Sequence, residues 1–394
     1  MTPPRILFYV QYLEGIGHVM RAKRIVEQLL RRGCRVALVL GGNPIPGFDV
    51  AGATIHQLPP VHVGQESYSV LLAEDGTPID DAFKAARRDH LLAIYQAERP
   101  NIVITEAYPM GRWAMHFELE PLLAMADADT QRPLILTSLR DILQMPKSTE
   151  KSDKSMELFQ RYYDAMIIHG DPNLVRIEES FPPLAGMIER AHSTGLVAPV
   201  DRESVVQPAT DKFDVLVSGG GGAIGYQVLA AAIAAKPLSA QAEKRWLALA
   251  GPRMSVGDYE RLAQQADANG VRLERYRDDL VGLMRDAQVS IQRAGYNTIA
   301  DLLVARCPGV LVPDAGGGQM EQPLRAEKLA ALNCAVVVPE ERLDPTALAA
   351  AIDRAVALPE RSTEFNLDGA AEAAEKICLL WRDTQVAQHS RELG

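Results

Sequence analysis

Short apolar runs alternate with stretches of helical periodicity along the whole chain. Ile6-Leu7-Phe8-Tyr9-Val10 is unbroken by polar residues, as a strand buried on both faces should be. Val19, Ala22, Ile25, Val26, Leu29 and Leu30 then recur at helical spacing, and Gly33 is placed to close that helix. Val36–Leu40 predicts the next strand. Strand, helix and strand in this order make a βαβ unit, which requires a parallel sheet and a right-handed crossover. Further strands are expected at Ile102–Thr105, Leu134–Leu139 and Ala165–His169. Met110, Trp113 and Phe117 keep helical spacing and predict a core helix. Lys147–Ser155, rich in lysine and serine, reads as a mobile solvated loop, or else as a cover for a bound acceptor.

The pattern breaks at residues 197–211, a polar stretch with two prolines and no periodicity that reads as a linker. It restarts with Phe213–Ser218, followed by strands at Arg245–Ala250, Val271–Leu273, Val289–Ile291, Gly309–Val312 and Ala335–Val338. The predicted fold class is α/β, with two Rossmann-like, doubly wound parallel-sheet domains facing across a cleft. Their bounds are 1–200 and 201–369, with a C-terminal helical segment, 370–394, free to return to the N-terminal domain.

Composition narrows the function. The chain has 394 residues, enough for two cores. It carries 41 Lys+Arg against 51 Asp+Glu, a formal net charge of −10, which argues against a nucleic-acid backbone binder. No apolar stretch reaches the ~18 residues of a membrane span. Met1–Arg5 leads directly into a strand without the form of a signal peptide. Cys34, Cys307, Cys334 and Cys378 are far apart with no CxxC, so neither a zinc ribbon nor a disulfide framework is expected, and the chain reads as cytoplasmic.

In open parallel sheets ligands bind beyond the carboxyl ends of the strands. Four loops there carry unusual residues. The first is Gly15-Ile16-Gly17-His18. Glycines admit a phosphate to main-chain N–H groups, and the following helix offers its positive end. Met20 stands where a dinucleotide fingerprint needs its third glycine, so that fingerprint fails here. His18, at a helix start, is a candidate base, with Glu106 and then Asp141 in reserve. The second loop is Gly219-Gly220-Gly221-Gly222, between a strand and a helix; Gly220, Gly222 and Gly225 satisfy GxGxxG, so an NAD-dependent oxidoreductase stays a rival. The third is Arg293-Ala294-Gly295-Tyr296-Asn297-Thr298-Ile299-Ala300-Asp301. Asn297 or Thr298 is placed to cap the helix, and Asp301, one turn on, to reach a ribose diol or simply to face the helix dipole. The fourth, Asp314–Gln322, ends in Glu321 and Gln322, an acceptor and an amide suited to hydroxyl recognition.

These four loops, in this order, resemble those of GT-B glycosyltransferases, and in particular the MurG-like (family 28) branch with its "predicted glycosyltransferase" relatives. Arg293–Asp301 is similar to that family's arginine-serine-glycine…threonine…glutamate signature, with Asp301 at the position of the ribose-binding glutamate. Glu321-Gln322 resembles the sugar-recognising pair, and Tyr276-Arg277-Asp278-Asp279-Leu280 the segment whose backbone reads the nucleobase, with Arg277 in place of an apolar residue. The resemblance implies an inverting, metal-independent hexosyl- or N-acetylhexosaminyl-transferase. It would use a nucleoside-diphosphate sugar, UDP before other bases, as substrate and need no further cofactor; the acceptor would lie against the first half. Gly15, Gly17 and Gly219–Gly222 would hold the pyrophosphate. A nucleotide-sugar hydrolase or epimerase on the same fold is the alternative.

Overall fold

The computed structural model describes residues 3–13, 15–64, 67–145, 148–199, 211–220 and 225–392. The chain divides into two compact units. The first comprises residues 1–172, 176–197 and 368–394, and the second residues 173–175 and 198–367. Residues 200–210 of the expected linker lie outside the described residues.

In the first unit the strands are β1 (Arg5–Val10), β2 (Arg35–Leu40), β3 (Thr54–Gln57), β4 (His62–Gly64), β5 (Ser67–Leu72), β6 (Ile102–Glu106), β7 (Leu134–Arg140), β8 (Ala165–His169) and β9 (Ala191–Ser193). Those of the second are β10 (Val215–Ser218), β11 (Trp246–Leu249), β12 (Arg272–Glu274), β13 (Val289–Gln292), β14 (Gly309–Leu311) and β15 (Ala335–Val337). The helices are α1 (Gly17–Arg31), α2 (Asp81–Glu98), α3 (His116–Asp127), α4 (Thr149–Tyr162), α5 (Ile177–Ser180), α6 (Tyr226–Ala235), α7 (Val256–Ala268), α8 (Leu280–Asp286), α9 (Tyr296–Ala305), α10 (Glu321–Ala331), α11 (Pro345–Val356) and α12 (Gly369–Glu392).

Among the described residues the first unit's sheet runs β3-β2-β1-β6-β7-β8-β9 and the second's β12-β11-β10-β13-β14-β15, with every pair parallel. β4 and β5 form a separate antiparallel hairpin. Strand order reverses between β1 and β6 in one sheet and between β10 and β13 in the other, the points where doubly wound sheets open a crevice. Both faces of β1 are buried, which explains its unbroken apolar run. Ile6, Phe8 and Val10 pack with α1, while Leu7 and Tyr9 pack with residues of α2 and α3. Helix α12 joins the first unit's core through Ala370, Ala373, Ala374, Ile377 and Trp381, at spacings that make one helical stripe. Gly33, at φ +82°, closes α1 in the left-handed conformation glycine allows.

Two expectations fail. The segment expected as a loop over residues 147–155 is helical from Thr149 onward: Ser148 caps α4 by accepting a hydrogen bond from the Lys151 N–H at 3.3 Å, and the helix runs to Tyr162. Ser152, Ser155, Phe159 and Tyr162 face inward, so the buried stripe begins with small hydroxyl residues that look like solvent-facing ones; Lys147 itself lies outside the described residues. Asn297 and Thr298 do not cap α9 either. Gly295 occupies the capping position with no side-chain bond, and both residues sit inside the first turn.

Candidate functional site

At the carboxyl end of the first unit's sheet, His18 in the first turn of α1 meets Glu106, the last residue of β6, with 2.7 Å between Nδ1 and Oε1. Arg21, one helical turn after His18, donates to the same carboxylate oxygen. Glu106 is 1% exposed and Arg21 2%, against 16% for the His18 side chain. The least buried member is therefore the one suited to exchange protons. With Nδ1–H donating to Glu106, the lone pair of His18 is on Nε2. Burial pushes the imidazole down to about 3; Glu106 opposes this, and the nearby Arg112 and Arg140 add to it. The ring is thus neutral at physiological pH. Burial would raise the Glu106 carboxyl, but His18, Arg21 and Arg112 outweigh it and hold the group well below the usual carboxylate range. Its other oxygen, Oε2, is buried without a hydrogen-bond partner among the described residues.

Gly15 precedes α1, and a Cβ there would meet nothing within 4 Å, so packing does not demand glycine at that position. Gly17 is the first residue of α1. Asp141 follows β7, its Oδ1 accepting from the Ile142 N–H at 2.9 Å, and Gly170 lies so close that a Cβ would come within 2.6 Å of the Asp141 side chain. Asp141 is 1% exposed. Ser138, beside Glu106 in the sheet, lies 2.7 Å from His169 Nε2, and burial holds His169 at about 3. Arg112 donates through Nε to the Gln11 carbonyl at 3.0 Å. Arg21 escaped the sequence reading, although its spacing of three from His18 puts both on one helix face.

The second unit's loops cluster around β10, β13 and β14. Gly219 donates its N–H to the Leu249 carbonyl at 3.0 Å, which commits that amide to the sheet rather than to a ligand, and Gly220 has φ +79°. A Cβ on Gly219 would meet Leu229 at 2.7 Å, and one on Gly225 would meet the Gly219 carbonyl at 2.5 Å. Those two glycines are required for the helix to pack against the strand end. Gly221 and Gly222 lie outside the described residues. Arg293 pairs with Glu340 at 2.7 Å. Gln322 accepts through Oε1 from the N–H of Ala294 (3.1 Å) and of Asp314 (3.2 Å), so it clasps two neighbouring loops together. Glu321, beside it, pairs with the fully buried Arg325 at 3.0 Å. Asn297 Oδ1 is buried with no hydrogen-bond partner among the described residues, and Asp301 is half-buried one turn later in α9. Tyr276 is 65% exposed, whereas Arg277 is drawn into a bidentate pair with Asp279 at 2.8 and 2.6 Å that raises its pKa. Asp279 precedes α8.

No group of three or more metal-ligating side chains is found among the described residues, and no described helix is long and apolar enough to cross a membrane.

Residues 219–377 match the family model described as the glycosyltransferase family 28 C-terminal domain. A stretch of 168 residues is 28% identical to the UDP-N-acetylglucosamine--N-acetylmuramyl-(pentapeptide) pyrophosphoryl-undecaprenol N-acetylglucosamine transferase of Methylorubrum extorquens (strain PA1), covering 42% of this chain and 44% of that protein. The protein of the same name from Synechococcus sp. (strain CC9605) is 27% identical over 229 residues, 58% of this chain and 61% of its own length. The chain thus spans about half the length of the curated relatives it matches. In three dimensions it resembles Acinetobacter baumannii MurG, with a TM-score of 0.58 and 15% identity over 97% of this chain and 100% of that one. The chain has the GT-B fold, and its residues 219–377 are similar to the glycosyltransferase family 28 C-terminal domain.

Proposed function

We propose that the protein transfers a hexosyl or N-acetylhexosaminyl group from a UDP-sugar to an acceptor nucleophile, with inversion and without a bound metal. The observation that carries the reading is the 2.7 Å contact between His18 and Glu106 at the carboxyl end of the first sheet. It leaves Nε2 of a neutral imidazole as the proton acceptor and places a carboxylate behind the ring to stabilise the imidazolium that forms. The second unit supplies the donor's grip. The glycine loop after β10, Gly219–Gly222, is assigned the pyrophosphate, although the N–H of Gly219 is held by Leu249 and that of Gly220 by Ser218 Oγ at 3.3 Å; Asp301 takes the ribose; Glu321 and the amide N–H groups of Gln322 take the sugar. Gly15 and Gly17 offer amides at the positive end of α1. Asp141, whose Oδ1 accepts from the Ile142 N–H, is assigned no step.

The mechanism has one chemical act. The acceptor oxygen or nitrogen attacks the anomeric carbon as its proton passes to His18 Nε2. The glycosidic bond to the diphosphate breaks, and UDP leaves with the electron pair. The test is a panel of UDP-sugars incubated with an acceptor library, following UDP release and the glycosylated product. Stoichiometric free sugar without acceptor would make the protein a hydrolase, and an epimeric UDP-sugar an epimerase. UDP release that requires an acceptor is the expected result.

A further inference from the structure

Arg325 is 0% exposed, and a guanidinium so placed needs every donor matched. Nη1 donates to the Ala294 carbonyl at 2.8 Å, Nη2 pairs with Glu321 Oε1 at 3.0 Å, and the group lies 5.7 Å from the centroid of the buried Tyr296 ring. Arg325 thus joins three features: the loop after β13, the start of α9 and the start of α10. Glu321 is the opposite case. Its side chain keeps 15% of its surface, at the first residue of α10 and beside the clasp that Gln322 makes. A rigid planar fork fixes a carboxylate in direction better than an ammonium does. Nothing in the residue pattern around position 325 singles this arginine out.

We propose that Arg325 is a positioning residue for donor-sugar choice: by fixing the Glu321 carboxylate, it makes the sugar subsite an acceptor of hydroxyls that favours a neutral hexosyl group and rejects an anionic one. This rests on the donor assignment above. A carboxylate accepts hydrogen bonds and donates none. It suits a sugar that presents O–H groups, whereas a hexuronosyl carboxylate would meet like charge. The Arg325 fork is already occupied by Glu321 and Ala294, so it offers no ready counter-ion to such a sugar.

Calorimetry on the full chain tests this with UDP, UDP-glucose and UDP-glucuronate. The wild-type chain should bind UDP-glucuronate about tenfold or more weakly than UDP-glucose. Glu321→Gln should bring the two within about threefold while UDP affinity is retained. Arg325→Met should lower the gain of UDP-glucose over UDP about five- to tenfold, again with UDP affinity retained, because UDP does not reach the freed carboxylate. A purely structural role for Arg325 would instead weaken all three ligands together, and that result overturns the proposal. So does a wild-type chain that binds the two sugars alike, or a preference that survives Glu321→Gln, whether or not Arg325→Met folds. If wild type binds no UDP at all, the donor reading falls and this inference with it. If it binds UDP but shows no preference for the neutral sugar, this inference alone falls.

Discussion

Glu106→Gln separates the base from its support. The substitution keeps the shape and an acceptor oxygen for the His18 Nδ1–H, 2.7 Å away, but removes the charge. Two costs follow. Arg21, 2% exposed, loses the carboxylate that compensates it, and removing one partner of a buried pair costs up to about 3–5 kcal/mol of stability. The imidazolium formed during transfer also loses its counter-charge. Two unit charges ~4 Å apart at an effective dielectric of 20 interact by about 4 kcal/mol, roughly three powers of ten in rate. General-base catalysis as a whole is worth ~10²–10⁴-fold, which sets the ceiling. The expected result is a kcat lower by about 10²–10³-fold with UDP affinity changed far less, since most of the residues assigned to the donor belong to the other unit. Glu106→Asp should recover part of the loss. The assay is steady-state UDP release from a UDP-sugar with an acceptor found by screening, beside a denaturant titration to confirm folding. A kcat within about threefold of wild type, while His18→Ala abolishes transfer, would refute the coupling of the two residues.

Three further outcomes follow from the same structure. The folded-state pKa of His18 and His169 is about 3, against an ordinary 6.5. The unfolded chain therefore takes up protons below pH ~6.5 that the folded chain refuses until about 3, and stability falls through that window by roughly 2 kcal/mol per imidazole between pH 6.5 and 5; denaturant titrations at both pH values should show it, and His169→Gln should remove about half. The depressed Glu106 adds its own loss only below the ordinary carboxylate range, because its stabilisation is complete above the unfolded value and disappears as pH falls toward the folded one. Gly225→Ala puts a Cβ 2.5 Å from the Gly219 carbonyl and should cost ~1–3 kcal/mol, whereas Gly15→Ala meets nothing within 4 Å and should stay within about 0.5 kcal/mol of wild type by thermal unfolding. Trp381→Ala empties a buried site between α12 and α1 and should cost ~3–5 kcal/mol in the same assay; a loss under about 1 kcal/mol would mean that α12 is not part of the first unit's core.

The parallel sheets were legible because strands buried on both faces leave unbroken apolar runs, such as Ile6–Val10 and Val36–Leu40. The short edge strands β3 and β9 are not, since Thr54–Gln57 and Ala191–Ser193 mix exposed and half-buried positions. Helix α4 hid behind serines that are buried: Ser155 Oγ accepts from the Trp113 indole N–H at 3.0 Å and donates to the Pro109 carbonyl at 2.9 Å, a use of serine that composition cannot distinguish from a loop. At the site, glycines and a histidine after strands were visible as types. Their partners were not, because the separation of 88 residues between His18 and Glu106 is closed only by the strand order. Gln322 shows the same limit: its amide looks like a ligand contact in the sequence, and in the fold its oxygen is already taken by two backbone N–H groups.

The central claim is that the second unit grips a nucleoside diphosphate. Calorimetric titration of the full chain with UDP tests it most directly, repeated with Asp301→Ala. The account predicts saturable binding of one UDP per chain, weakened about tenfold or more by the substitution, as loss of a charge-assisted hydrogen bond requires. Absence of binding of UDP, or of any other nucleoside diphosphate, at millimolar concentration would contradict it.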